Sequence, residues 1–353
     1  LEQSRGALIA ALLKYDFFVV FPINPTTLAK YREAFSPSRA KDDPTDAEYL
    51  RELVQTQRER LNAWRPEDES TRKLQYLVEY RRKLVGERTR VSNRLTALLK
   101  GYFPQVLEWF PDIRTLLVCE FLLTWATPCS LKGVRAKTLQ SFFHRYGSRN
   151  AKKNLARIEA IRKIVPLTND AAIVKSSALM AQVYAEQMKV LISSIQKLEK
   201  EIDELTKAHD DVEIFSSLPG AGDTLIPRLI TAFGTQRDRF SDANDAAKYF
   251  GIAPVIERSG NSEWIRWRYF CPKFIRQTFH EFANESIRFS FWAENFYRAQ
   301  RQKGKKHHVA IRALAFKWIR IIYRCWITNT PYDEAKYLKA PVSYTHLTLP
   351  TSF

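Results

Sequence analysis

The sequence predicts a mostly α-helical protein with a small α/β part at its front, a helical middle containing a coiled-coil seam, and a helical C-terminal domain. Three observations lead there. Apolar residues recur at three- and four-residue intervals over most of the chain, and one short apolar run interrupts them near the start. The 353 residues, 45% hydrophobic and 27% charged, suffice for two or more cores at about 150 residues per domain.

From Gln3 to Tyr15, residues Ala7, Leu8, Ala11 and Leu12 keep helical spacing, and Phe17-Phe-Val-Val-Phe21, ended by Pro22, reads as a buried strand. Asn24-Pro25 starts a short helix through Phe35, and a polar loop from Ser36 to Asp46 leads into the next helix. A strand between helices points to an α/β domain over residues 1–110. Within it, residues 69–100 predict a long helix whose Arg72, Lys73, Arg81, Arg82, Lys83, Arg88, Arg90, Arg94 and Lys100 face only Glu79 and Glu87.

Residues 111–212 form a basic helical region. Between 132 and 163 there are ten Lys or Arg and the single acid Glu159. From Met188, the residues Leu191, Ile195, Leu198, Ile202 and Leu205 follow 3-4-3-4-3 spacing, the seam of a coiled coil or helical hairpin, or one face of an amphipathic helix on its own domain. A C-terminal domain spans 213–337. Leu218-Pro-Gly-Ala-Gly222 opens a helix that continues through Arg228 to Phe233, and a further helix runs from Phe240 through Ile252, capped near Ser241 or Asp242. A loop from Ala253 to Glu263 precedes two long helices reaching Asn329. The chain begins at Leu1, and its only methionines are Met180 and Met188, so it is expected to start inside a reading frame. Val342 to Thr351 resembles a translated sequencing-library adapter, so 342–353 is expected to be a non-native tail.

Charge narrows the function. Fifty-six Lys and Arg against 38 Asp and Glu give +18, which calls for a polyanionic partner, most commonly nucleic acid. No apolar run reaches the roughly 18 residues of a membrane span, so no membrane partner is expected. Cys119, Cys129, Cys271 and Cys325 form no C-x-x-C pair and the six histidines no H-E-x-x-H, which leaves no disulfide framework or zinc module and makes a reducing cytoplasm the expected compartment.

Four stretches could carry chemistry. Asp43 before Pro44 suits a helix N-cap and Asp46 the first turn, but residues three apart also share a face on which two carboxylates can meet one divalent cation. Gly220 and Gly222, before a helix, allow close backbone approach to a phosphate or serve a tight packing turn. Ser259 in Arg258-Ser-Gly-Asn-Ser262 is an ordinary turn former or a nucleophile whose activation has to come from elsewhere. From Arg298 to Arg324 there are nine Lys or Arg and no acids. Lys303, Lys305 and Lys306 are the densest part; Arg312, Arg320 and Arg324 follow on a helix that packs Ile311, Leu314, Ala315 and Ile319 on its other side.

Lys41-x-Asp43-x-x-Asp46-Ala47, Leu218-Pro-Gly-x-Gly222, Phe250-Gly-Ile-Ala-Pro254, Ser259-Gly260 and Gly304-Lys-Lys-His-His-Val-Ala310 occur in the order seen in DEDD-type insertion-sequence transposases. Over roughly residues 1–337 the chain resembles these Piv-invertase-like recombinases, which have a RuvC-like (RNase H-like) N-terminal domain and a C-terminal transposase domain. The resemblance implies a Mg²⁺ site of Asp, Glu, Asp and Asp, with Glu2, Asp43 and Asp46 in the matching places, and Ser259 as the nucleophile. It also implies a guide noncoding RNA beside DNA. Bringing Ser259 to the carboxylates is expected to require a homo-oligomer, with the 188–205 seam as the candidate for pairing the subunits. The first aspartate of the pattern belongs to an opening strand absent from this sequence, so the polypeptide as written is expected to be truncated and inactive, and the full gene product active. Trp264 to Lys273 replaces a more usual Ser-Lys-Arg-Gly type of stretch, although Lys273 and Arg276 keep its basic character. The rival expectations are a nucleic-acid-binding protein without catalysis and a RuvC-like junction nuclease that uses water.

Overall fold

The computed structural model describes residues 6–12, 14–36, 41–61 and 63–339. Glu2 and the 342–353 segment lie outside the described residues. The chain divides into two compact units, Leu1–Arg72 and Lys73–Phe353.

The first unit contains α1 (Ala7–Leu12), α2 (Pro25–Phe35) and α3 (Asp43–Gln57). Asn24 caps α2 by accepting from the Thr26 backbone N–H at 2.9 Å, with Pro25 at the first helical position. Tyr31 and Phe35 of α2 pack their rings against Tyr49 of α3 at 6.0 and 6.3 Å. The buried strand expected over Phe17–Phe21 is not found. Val20 makes a single bridge to Trp64, while Phe17, Phe18 and Val19 are 70, 49 and 54% exposed. A lone extended segment with one bridging partner has no sheet face to cover its side chains.

The second unit is built on α4 (Glu69–Tyr102, from Lys73 onward) and α9 (Ala171–Lys207). Around one end of these rods lie α5 (Gln105–Trp109), α6 (Leu116–Thr124), α7 (Ala136–Arg145) and α8 (Ala151–Arg162). Their core joins Leu95, Leu99, Phe103, Phe121, Phe143, Ile158 and Met188. A second core joins Leu74, Val78 and Ile202 to α10 (Val212–Ser216), α11 (Ile226–Phe233) and α12 (Ala243–Tyr249). It continues through α13 (Lys273–Ser286), α14 (Phe291–Gln302) and α15 (His307–Ile327), and α16 (Glu334–Lys339) follows. Trp318 and Trp326 are fully buried there, and their indole N–H groups donate to Ser286 Oγ and to the Gly234 carbonyl at 2.8 and 2.9 Å. Each contributes its large apolar area without stranding a donor.

The apolar seam of α9 is real, but it faces inward. Met188, Ile195 and Ile202 are buried and Leu198 and Leu205 half-buried against the two cores, while Arg81 of α4 donates to Glu199 at 2.6 Å. A seam covered by the same chain cannot serve the subunit pairing expected of it.

Two further expectations change. The stretch 253–263 is not one loop but the first half of an antiparallel hairpin, β1 (Val255–Ser259) and β2 (Ser262–Arg266), with Ser259 opposite Ser262. The two long C-terminal helices are three, because Ser290 caps α14 and Gly304, at φ +78°, breaks the chain before α15. The packed face of α15 is as expected, with Ile311, Leu314, Ala315 and Ile319 buried and Arg320 and Arg324 exposed. Among the described residues, no helix is long and apolar enough to cross a membrane.

Candidate catalytic residues and nucleic-acid interface

Asp43 and Asp46 both lie in the first turn of α3, but the cap is Asp42 rather than Asp43. Asp42 is extended (φ −141°, ψ 154°); its carboxylate accepts from the Thr45 backbone N–H at 2.9 Å and the Thr45 hydroxyl at 2.7 Å. These hydrogen bonds hold its pKa below the ordinary carboxylate value. With the capping role filled by its neighbour, Asp43 has no hydrogen bond to its carboxylate among the described residues. Asp46 accepts a charge-assisted hydrogen bond from Arg32 of α2, and both side chains are largely covered. Sequence alone gave no signal for Arg32, because the pair closes only when α2 and α3 pack.

Among the described residues, no group of three or more His, Cys, Asp or Glu side chains is placed to hold a metal ion. The donor chemistry of Asp43 and Asp46 nevertheless suits Mg²⁺, which is commonly bound by one or two carboxylates together with substrate phosphate oxygens.

Ser259 ends β1 on the exposed hairpin of the second unit. The two-residue turn Gly260-Asn261 has φ +55° at Gly260, as a type II′ turn requires at its first central position. Strand alternation puts Ser259 on one face with Glu257, Ser262, Trp264 and Arg266. Arg258 is tied across the ladder to Glu263 at 2.7 Å and Arg266 to Glu257 at 3.1 Å. No histidine or lysine lies in the hairpin, and its two carboxylates, Glu257 and Glu263, are held in ion pairs with Arg266 and Arg258.

The glycines of the 218–222 turn separate. Gly220 (φ +82°) sits so close to α13 that an added Cβ would lie 3.0 Å from the Glu285 carbonyl carbon and 3.1 Å from the Phe289 ring, whereas one on Gly222 would meet open space. Gly220 serves packing, and Gly222 is the one open to a ligand. Beside this turn a cleft of about 590 Å³ is lined by Arg81, Arg82, Lys200, Lys207 and Arg228, together with acids Glu199, Asp203 and Asp223. A second cleft, of about 510 Å³, between α6 and α7, has Arg135, Lys137 and Arg145 around Trp125, Phe142 and Tyr146 and no acid in its lining. Cations around aromatic rings suit a single nucleic-acid strand.

Lys273 opens α13 and is exposed, as are Lys303 and Lys306, while Lys305 is half-buried. Arg276 and Arg312 are half-buried against Trp267, a residue the sequence reading passed over together with His280. Four-residue spacing of Arg276 and His280 on one helix face was the available signal.

Residues 1–104 match the transposase family model of DEDD IS110 type, and residues 212–298 match that described as transposase IS116/IS110/IS902 family. The chain belongs to the IS110/IS116 family of insertion-sequence transposases. It is 28% identical to the Streptomyces coelicolor mini-circle protein proposed as the transposase for IS117, over 95% of this chain and 82% of that protein. An IS116 insertion-element protein of Streptomyces clavuligerus is 26% identical over 91% of this chain and 79% of its own length. Within the transposase family frame, Asp43 and Asp46 fall in the first matched stretch and Ser259, Gly222 and Arg276 in the second. The acid-free cleft of α6 and α7 lies between the two, and Arg312 beyond them.

Proposed function

We propose that this transposase cuts and rejoins DNA strands at the ends of an insertion sequence through a transient bond between Ser259 and phosphorus. The supporting observation is the exposed Ser259 at a hairpin turn inside the second matched stretch, where the two hairpin carboxylates are held by arginines and leave the serine accessible. Ser259 Oγ forms a bond to phosphorus as the bond to the leaving sugar oxygen breaks, and the serine proton passes through solvent to that oxygen. The phosphodiester energy is kept in the Ser–O–P link until the new strand end attacks. Asp43 and Asp46 are the residues that would hold Mg²⁺, which when bound supplies neutralisation of charge developing on the phosphate. Asp46 has its position fixed by Arg32, while Asp43 has no hydrogen bond to its carboxylate among the described residues. In this reading two or more copies of the chain assemble around the DNA ends and bring Ser259 to the carboxylates. A guide RNA is the second nucleic acid in this reading, and the acid-free cleft of α6 and α7 is its proposed seat.

The test is covalent-adduct trapping in cells expressing the gene with a plasmid that carries the element's ends. Adduct and recombination are expected with the wild type and neither with Ser259→Ala. Adduct-free recombination, or recombination by Ser259→Ala, would transfer the chemistry to a water-using nuclease.

A further inference from the structure

At the root of the Ser259 hairpin lies a cationic constellation that the strand chemistry above does not use. Trp267 follows β2 directly. Arg312 of α15 places its guanidinium 3.7 Å from the Trp267 ring centre, Arg276 of α13 lies at 4.7 Å, and the His280 ring is at 6.0 Å. One Arg276 nitrogen is anchored to the Arg268 carbonyl at 2.9 Å. Arg312 Nε and His280 Nε2 are buried without a hydrogen-bond partner among the described residues. Arg312 and Arg276 both place positive charge beside His280, with the His308 ring also near, and Arg276 places positive charge beside Arg312. Nearby carboxylates are engaged elsewhere: Glu281 with Arg228, Glu263 with Arg258 and Glu257 with Arg266.

Two guanidiniums on one indole each gain from the ring, but they repel one another and leave a buried donor unmade. A negatively charged acceptor removes both penalties at once. Its surroundings indicate which one. The hairpin and the chain after it expose Trp264, Tyr269 and Phe270 (50, 74 and 75%), faces on which bases can stack, and Lys303 and Lys306 stand exposed just before α15.

We propose that Trp267, Arg276, His280 and Arg312 form a site for a backbone phosphate of the nucleic-acid strand that the Ser259 hairpin engages. The site rests on the reading of Ser259 as acting on a strand, and it adds a phosphate contact that fixes strand register there.

The experiment measures binding of fluorescein-labelled oligothymidylate and oligouridylate to the full chain between 50 and 300 mM salt, values of the order where phosphate contacts dominate affinity. Arg312→Gln is expected to weaken binding about five- to twenty-fold and to lower the salt slope by about one, with Arg276→Gln similar. The exposed Lys336→Gln serves as a charge control. Melting temperature should stay level or rise in Arg312→Gln, because an unpaired cation has been removed. Addition of oligonucleotide should raise the His280 pKa, followed by NMR, in the wild type but not in Arg312→Gln. A lowered melting temperature with an unchanged salt slope would show that the guanidinium only props Trp267 and would overturn the site. Inorganic phosphate displacing the oligonucleotide at equal phosphate concentration would also overturn it, in favour of a free anion. Failure of adduct trapping removes the serine chemistry and leaves these binding results standing, so the two can fail separately.

Discussion

Two half-buried arginines stack on aromatic rings in the second unit, and they differ in one respect. Arg157 of α8 lies 4.9 Å from the Phe110 ring centre, donates Nε to the Trp109 carbonyl at 2.9 Å and Nη1 to Ser148 Oγ at 3.1 Å. Arg312 has a closer ring, at 3.7 Å, but its buried Nε donates to nothing among the described residues and a charged neighbour is another arginine. Burial lowers the pKa of both, that of Arg312 to about 10. Desolvation therefore does not separate a structural cation from one arranged for a ligand; the inventory of acceptors does.

The largest effect follows from the satisfied member. Arg157→Ala leaves the Trp109 carbonyl and Ser148 without their donor and opens space beside Phe110 and Phe143, at a cost of about 2–4 kcal/mol in urea unfolding. The salt slope of oligonucleotide binding should not move. If Arg157→Ala changes the slope and spares stability, the distinction between the two arginines is lost.

The same contrast runs through the 218–222 turn. Gly220→Ala puts a methyl group 3.0 Å from the backbone of Glu285 at φ +82°, so about 2 kcal/mol of destabilisation is expected. Gly222→Ala meets nothing and should stay within about 0.5 kcal/mol while weakening nucleic-acid binding. Equal stability losses would mean that both glycines serve packing.

His280 gives an effect of intermediate size with a defined pH window. Its burial, with Arg312, Arg276 and His308 around it, lowers its pKa from 6.5 to about 4. The unfolded chain therefore binds the extra proton first as pH falls, so the stabilisation is complete above about 6.5 and is lost progressively toward about 4. After discounting for partial exposure this amounts to about 2 kcal/mol, and His280→Gln should flatten that part of the stability–pH curve. Saturating oligonucleotide should reverse the sign, since an anion beside His280 favours its protonated form. An unchanged slope in His280→Gln would assign the acid sensitivity to other groups.

What the sequence disclosed and what it hid divide along the same line between local and assembled features. The long α4, the 3-4-3-4-3 seam of α9 and the two faces of α15 were legible because each is a period along one element. The hairpin carried a local signal too: Gly260-Asn261 sits between Val255-Ile-Glu-Arg-Ser259 and Ser262-Glu-Trp-Ile-Arg266, but the charges at Glu257, Arg258 and Glu263 masked its alternation. The direction of the α9 seam, the Arg32–Asp46 pair and the meeting of Trp267 with Arg276 and Arg312 were not legible, since each joins elements that no spacing rule connects. The exposed Phe17–Val19 run shows the converse, an apolar pattern of strand type with one bridge and no sheet.

The smallest expected effect places the contrast within two adjacent carboxylates. Asp42 is satisfied by Thr45 and caps α3, whereas Asp43 has no hydrogen bond to its carboxylate among the described residues and waits at the same helix start. Asp42→Ala should lower the melting temperature by about 2–4 °C, the range of a lost N-cap, and leave strand cleavage in place. Because the two Thr45 hydrogen bonds depress the Asp42 pKa, that stabilisation is present above the ordinary aspartate value and fades as pH falls through the lowered one. Asp43→Ala should barely move the melting temperature, yet it should abolish the covalent adduct. Were Asp43→Ala to retain the adduct while Asp42→Ala lost it, the cap and the proposed metal carboxylate would have exchanged places. The rule that the unsatisfied member of a pair is the functional one would then fail at the front of the chain, whatever it does at Arg312.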